Sequence, residues 1–172
     1  MAVKATATPV AFVLKFIVCF AVLFGVFEAS RGTAFEGFVV EDLILVPTTA
    51  LINAISPGEH VELVGRAISS PSSKLRVTRG CEGVEMFLLL AAGIIAFPAS
   101  FKRRALGLSL GSVLAYLLSV ARLLALHYTL RYSPAAWEAL HGLVLPLAPI
   151  ILIALYFMRW SAPTMDRAPR AA

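Results

Sequence analysis

From Val10 to Phe27 the chain runs eighteen residues with a single charge, Lys15. As a helix such a segment is about 27 Å long, close to the hydrocarbon thickness of a bilayer. Inside lipid every backbone polar group must be satisfied within the protein, and only helices and closed barrels achieve that. No other feature narrows the choice of fold as much. The rival reading is a secretory signal. Glu28-Ala29-Ser30, which follow, lack a clean small-x-small cleavage pattern, so the segment is read as an uncleaved span.

Three more stretches read the same way: Val84 to Phe101, Ala105 to Leu126 and Gly142 to Met158. The chain is 59% hydrophobic, well above the usual share of about 45–50% in soluble domains. The expected fold is therefore an all-α integral membrane protein. Residues 1–172 form a single membrane domain, a bundle of about four transmembrane helices with spans near 10–27, 84–101, 105–126 and 142–158. Gly107 and Gly111 stand at the small-xxx-small spacing that suits close helix packing. Pro146 and Pro149 are expected to kink the last span.

The segment 28–83 is the only soluble-looking part. Leu43 to Ile55 is apolar but only thirteen residues long and broken by Pro47 and Asn53. That is too short to cross, so an interfacial helix is expected there. Pro57-Gly58 ends it. Val61 to Thr78, with Ser69 to Ser73 in its middle, reads as short extended pieces, since Leu75 and Val77 alternate with Arg76 and Thr78. Residues 127–140 read as a short polar link. No internal repeat appears.

The formal charge is +5, but no basic patch is interleaved with aromatics, so nucleic acid is not the expected partner; a lipid bilayer is. Beside apolar segments basic residues report orientation. Lys4, Lys102-Arg103-Arg104, Arg159, Arg167 and Arg170 mark one side, and only Asp166 of the ten acidic residues joins them. The termini and the 102–104 turn are expected in the cytoplasm. The 28–83 loop and the 127–140 link are expected outside.

Chemistry concentrates around Arg79-Gly80-Cys81-Glu82-Gly83-Val84-Glu85, where a thiol stands between two glycines at a helix start. Only the thiolate is a good nucleophile, and a helix N-terminus favours it. Glu82 and Glu85 oppose it, so a cation must come from elsewhere. Cys19 lies inside an apolar run, so no disulfide is expected. Cys81 lies 21 residues from Lys102, about 31 Å along a helix. Arg122 lies 18 residues from Arg104, and His141 lies 18 from Arg159, about 27 Å in each case. A thiol, a guanidinium and an imidazole therefore reach one depth from three different helices. Singly, each has a bland alternative: packing for Cys81, snorkelling for Arg122, helix capping for His141. Their shared depth favours a site.

His127 is a lesser alternative base, since it points roughly 140° away from Arg122 on an ideal helix. His60 reads as a solvated loop residue. Glu138 and Trp137 share a helical face with His141, and Glu138 is a candidate to orient its imidazole. No cysteine–histidine pair has tight ligand spacing, so neither metal nor cofactor is expected.

These residues also carry a resemblance. Gly80-Cys81-Glu82-Gly83-Val84-Glu85, Ala96-Phe97-Pro98, Ser119-Val120-Ala121-Arg122 and Leu140-His141-Gly142 resemble the exosortase/archaeosortase family of membrane transpeptidases. The similarity runs from about Arg31 to Trp160 and is greatest to the short forms, exosortase M or exosortase H. Gly32-Thr33-Ala34-Phe35-Glu36 leans toward the M-like form. The resemblance implies that Cys81, Arg122 and His141 are catalytic. Ser119 stands where family members often have asparagine, and Glu82 where many have serine or asparagine; both become candidates for the supporting layer.

The implied substrates are exported proteins with a C-terminal sorting signal of the PEP-CTERM kind: a short motif, a transmembrane helix and a basic end. Cleavage would pass through a Cys81 thioester, with transfer to an acceptor or hydrolysis by water. The implied location is the bacterial inner membrane, with the site facing the periplasm. A second class of function is a non-enzymatic membrane subunit of an envelope polysaccharide export or assembly system.

Overall fold

The computed structural model describes residues 9–71 and 73–165, with side chains described to Ala162. Lys4, Asp166, Arg167 and Arg170, counted above for orientation, lie outside the described residues, as does Ser72. Five helices form: α1 (Pro9–Ala29), α2 (Ala34–Ile55), α3 (Val84–Ala96), α4 (Phe101–Tyr132) and α5 (Pro134–Ala162). Four of them, α1, α2, α4 and α5, are long and apolar enough to cross a membrane. Between α2 and α3 lies a small antiparallel sheet of β1 (Glu62–Val64), β2 (Ala67–Ser69) and β3 (Lys74–Arg76), in the order β1-β2-β3. Leu63 pairs with Ile68, and Ile68 with Leu75.

Two helices differ in length from expectation. The segment expected as a short interfacial helix, Leu43 to Ile55, is the second part of a longer helix, α2, which has 22 residues. Pro47 does not break it because Phe38–Leu45 is wound as a π-helix. The wider turn accommodates the proline ring and its missing N–H. Asn53 does not break it either. Its side-chain amide donates to the Val61 carbonyl and its side-chain oxygen accepts from the Val61 N–H, each at 2.8 Å, so it ties the sheet to α2.

The span expected over 84–101 stops at Ala96. Phe97 has extended backbone, φ −72° and ψ 137°, because a residue before proline avoids the helical region. At 13 residues α3 is about 20 Å long, shorter than the hydrocarbon layer. It is the central helix, packed against α1, α4 and α5. Leu90, Ala91, Ala92, Ile94 and Ala96 are all buried, as an apolar helix surrounded by others should be.

Ser100 precedes α4, so Lys102-Arg103-Arg104 forms its first turn rather than a free loop. Arg104 donates to the Phe97 carbonyl at 2.9 and 3.2 Å. Arg103 donates to the Trp160 carbonyl and lies 5.3 Å from the centre of that indole. The expected link over 127–140 shrinks to Ser133. α4 continues to Tyr132, and Pro134 opens α5, where a missing N–H costs nothing. Ahead of Pro146 the helix absorbs the proline as a π turn, Leu140–Val144. Gly107 and Gly111 are where neighbours come closest. A Cβ on Gly107 would stand 2.5 Å from Trp160 Nε1, and one on Gly111 would stand 2.6 Å from Leu90 Cδ2.

The last turns of α4 anchor the sheet region. His127 is fully buried, and its Nε2 lies 2.7 Å from the Glu59 carboxylate. Arg131 Nε reaches the same carboxylate at 3.1 Å. Ser56 and Tyr128 share a hydrogen bond of 2.9 Å. His127→Leu would strand part of the buried Glu59 carboxylate. The expected loss is about 2 kcal/mol or more of stability, read as a lower melting temperature in detergent; an unchanged melting temperature would show that the anchor carries no load.

Candidate functional site

Cys81 sits in the turn that enters α3. Its N–H donates to the Thr78 carbonyl at 3.0 Å. Gly80 and Gly83 on either side have φ of 80° and 82°. Gly83 is also constrained by space, since a Cβ there would stand 2.3 Å from Ser119 Oγ. Left-handed backbone and close approach both call for glycine. The paired glycines around the thiol are thus a structural requirement of the turn that presents it.

Three helices converge on this turn. His141, in the π turn of α5, places Nε2 at 3.8 Å from Cys81 Sγ. Thr78 Oγ1 lies 3.7 Å from the same sulfur. Arg122, from α4, donates through Nη1 to the Gly80 carbonyl at 3.1 Å. Arg122 is only 8% exposed, so it is not snorkelling at a surface. Its Nε is buried without a partner among the described residues. The thiol and imidazole are thus in direct contact, and the guanidinium holds the backbone next to the thiol.

The supporting residues are arranged differently from expectation. Glu138 is exposed and makes no hydrogen bond to His141 among the described residues. Trp137 holds the ring instead, stacked at 5.0 Å between centroids and 8° between planes. Ser119 is buried, donates to the Ala115 carbonyl at 2.9 Å and packs against Gly83, so it shapes the turn without reaching the sulfur. Glu82 is 2% exposed and pairs with Arg31 at 2.8 Å. His127 pairs with Glu59 and has no contact with Cys81. His60 is exposed, with φ 45°.

Arg31 is the residue that sequence reasoning missed. It lies between α1 and α2 and binds Glu28, Glu36 and Glu82 at 2.8 to 2.9 Å, with Glu85 at 3.8 Å. Burial alone would lower the Arg31 guanidinium; hydrogen bonds to Glu82, Glu36 and Glu28 outweigh it and raise it, so the group stays charged. Glu28 and Glu36 are close enough in sequence to be suspected partners. Glu82 is 51 residues away, and no local signal joins the two.

Beside the turn lies a cavity of about 540 Å³, lined among others by Arg79, Gly80, Arg122, Glu85 and Pro146. It shares Ile150 with an apolar cavity of about 220 Å³ that includes Phe16, Leu90, Gly93 and Phe157. Both cavities are lined by residues of α1, α3 and α5. Helices α1 and α5 meet where Phe12 and Phe157 stack at 6.3 Å. Among the described residues no three of His, Cys, Asp or Glu are grouped to hold a metal ion. No family model, curated protein or solved structure matches this chain.

Proposed function

We propose that the protein is a membrane cysteine transpeptidase that cleaves exported proteins near a C-terminal membrane-anchoring helix. The observation that carries this is the Cys81–His141 contact of 3.8 Å beside the buried Arg122. In the proposed reaction His141 accepts the thiol proton and Cys81 sulfur attacks the scissile carbonyl. The carbonyl electron pair moves to oxygen, which the Arg122 guanidinium beside the turn stabilises. The tetrahedral centre collapses, the C–N bond breaks, and His141 returns its proton to the leaving amine. A thioester remains on Cys81. Attack by an acceptor amine forms a new amide and restores the thiol, whereas water gives a free acid.

The substrate class follows from the resemblance to exosortases: a short motif, an apolar helix and a basic end. The bundle supports this choice in two ways. The Cys81 turn lies at the opposite end from Lys102-Arg103-Arg104, so a cleavage site at the outer mouth of a substrate helix would meet it. The cavity beside the turn, lined by residues of α1, α3 and α5, offers the end of that helix a lateral approach. With the basic turn in the cytoplasm, the site faces the periplasm of an inner membrane.

The test is labelling of intact cells carrying a Cys19→Ala background with a membrane-impermeant maleimide. Cys81 is expected to label from outside within minutes at about pH 7, where an ordinary thiol is only a few per cent ionised. His141→Ala should slow that labelling several-fold. A Cys81 that is unreachable from outside, or that reacts like a free thiol and ignores His141, would overturn the proposal and favour a non-enzymatic subunit.

A further inference from the structure

Around Cys81 the chain places acid as well as base. Glu82 is its immediate neighbour, Glu85 lies in the first turn of α3, and Glu28 shares with Glu85 the cavity beside the turn. A carboxylate this near disfavours a thiolate. The structure nonetheless keeps Glu82 almost fully buried and turned to a partner from another part of the chain. That partner is Arg31, whose side chain is 9% exposed.

We infer that Arg31 is a positioning residue for the nucleophile: it draws the Glu82 carboxylate into its own fork and so clears the negative field from Cys81. This rests on Cys81 acting as a thiolate. The geometry is specific. Arg31 Nη1 bridges Glu82 Oε1 at 2.8 Å and Glu36 Oε1 at 2.9 Å. Its Nε and Nη2 bind Glu28 Oε1 at 3.1 and 2.9 Å. Its guanidinium carbon lies 4.8 Å from the centre of the Phe27 ring. One planar group therefore ties α1, the start of α2 and the Cys81 turn together, which a point charge on a flexible stem does poorly.

The other charges facing the site come from every packed element. Arg66, on the turn between β1 and β2, binds Glu36 at 2.8 Å and Glu41 at 3.1 Å and so relieves Arg31 of part of the Glu36 charge. Arg122 comes from α4 and His141 from α5. Arg79 is exposed on the turn itself and lines the same cavity. Among the described residues, Arg31 is the cation hydrogen-bonded to Glu82.

The experiment compares alkylation of Cys81 by a small uncharged haloacetamide in purified full-length protein with Cys19→Ala. Rates are taken at about pH 7 and at about pH 10, where an ordinary thiol is largely ionised. Arg31→Met is expected to lower the rate at the lower pH about fivefold or more, through the freed carboxylate charge, and to leave the rate at the higher pH nearly unchanged. Adding Glu82→Gln should restore most of the loss, and Arg31→Lys, which keeps the charge without the fork, should fall between the parent and Arg31→Met. If both rates fall together, Arg31 serves only to keep the turn open. If neither moves, or Glu82→Gln rescues nothing, Arg31 does not act through Glu82. Each of these outcomes overturns the inference. The ratio of the two rates is read whether or not the parent thiol is fast, so failure here is distinct from failure of the transpeptidase reading. That reading falls if the parent thiol is ordinary and indifferent to His141.

Discussion

Cys81→Ser is expected to abolish processing of a cognate exported substrate, a loss of about a thousandfold or more, while Cys19→Ala leaves processing within about twofold. Both cysteines are free, so any difference between them is one of surroundings. Cys81 has an imidazole nitrogen at 3.8 Å and a backbone carbonyl neighbour held by Arg122. Cys19 sits within α1, near Lys15 and Val18, on a helix that is mostly exposed. Serine fits the turn as well as cysteine, so the variant should accumulate and melt like the parent. Its hydroxyl is far harder to ionise than a thiol, and a site built around sulfur does not recover the difference. Processing is read as the disappearance of a C-terminal tag from the substrate. Equal loss from both substitutions would mean that the thiols pack and do not react.

Arg122→Lys is expected to accumulate normally and to process substrate at least about tenfold more slowly, about 1.4 kcal/mol in the barrier. Arg122→Ala should be slower still. The reason lies in how the guanidinium is divided. Nη1 is committed to the Gly80 carbonyl at 3.1 Å, and Nε remains unpaired and buried. In the proposed reaction a planar fork holds the turn through one N–H and still has others to offer the reacting carbonyl. A lysine ammonium at this depth can do one or the other. Were Arg122 merely snorkelling, lysine would serve as well, since both have a flexible stem and a charge. Normal turnover in the lysine variant would remove Arg122 from the site and leave the mechanism on Cys81 and His141.

Much of the helical framework is legible in the residue order. Long apolar runs with few charges must wind as helices wherever water is absent, because the backbone has no other partner. That logic identifies α1, α4 and α5, and basic residues at one end serve as a ruler. At 1.5 Å per residue the ruler places Arg122 and His141 at similar heights; for Cys81 it overstates the rise, because only Val84–Ala96 of that interval is helical. It works because rise along a helix is a local property, nearly independent of what packs around it. The paired glycines announce a turn for the same reason, since left-handed backbone is a cost borne by the residue itself.

Tertiary structure decided the rest. Pro47 reads as a break, yet α2 runs through it as a π-helix, and Pro98 truncates α3 where a longer span seemed natural. Height along a helix also says nothing about azimuth. Packing turned His141 toward the sulfur and His127 toward Glu59, and it set Trp137 rather than Glu138 against the imidazole. The Arg31–Glu82 pair joins residues 51 positions apart. Charges pair with whatever the fold brings within a few ångströms, and only the packing of α1 against α3 brings these two together.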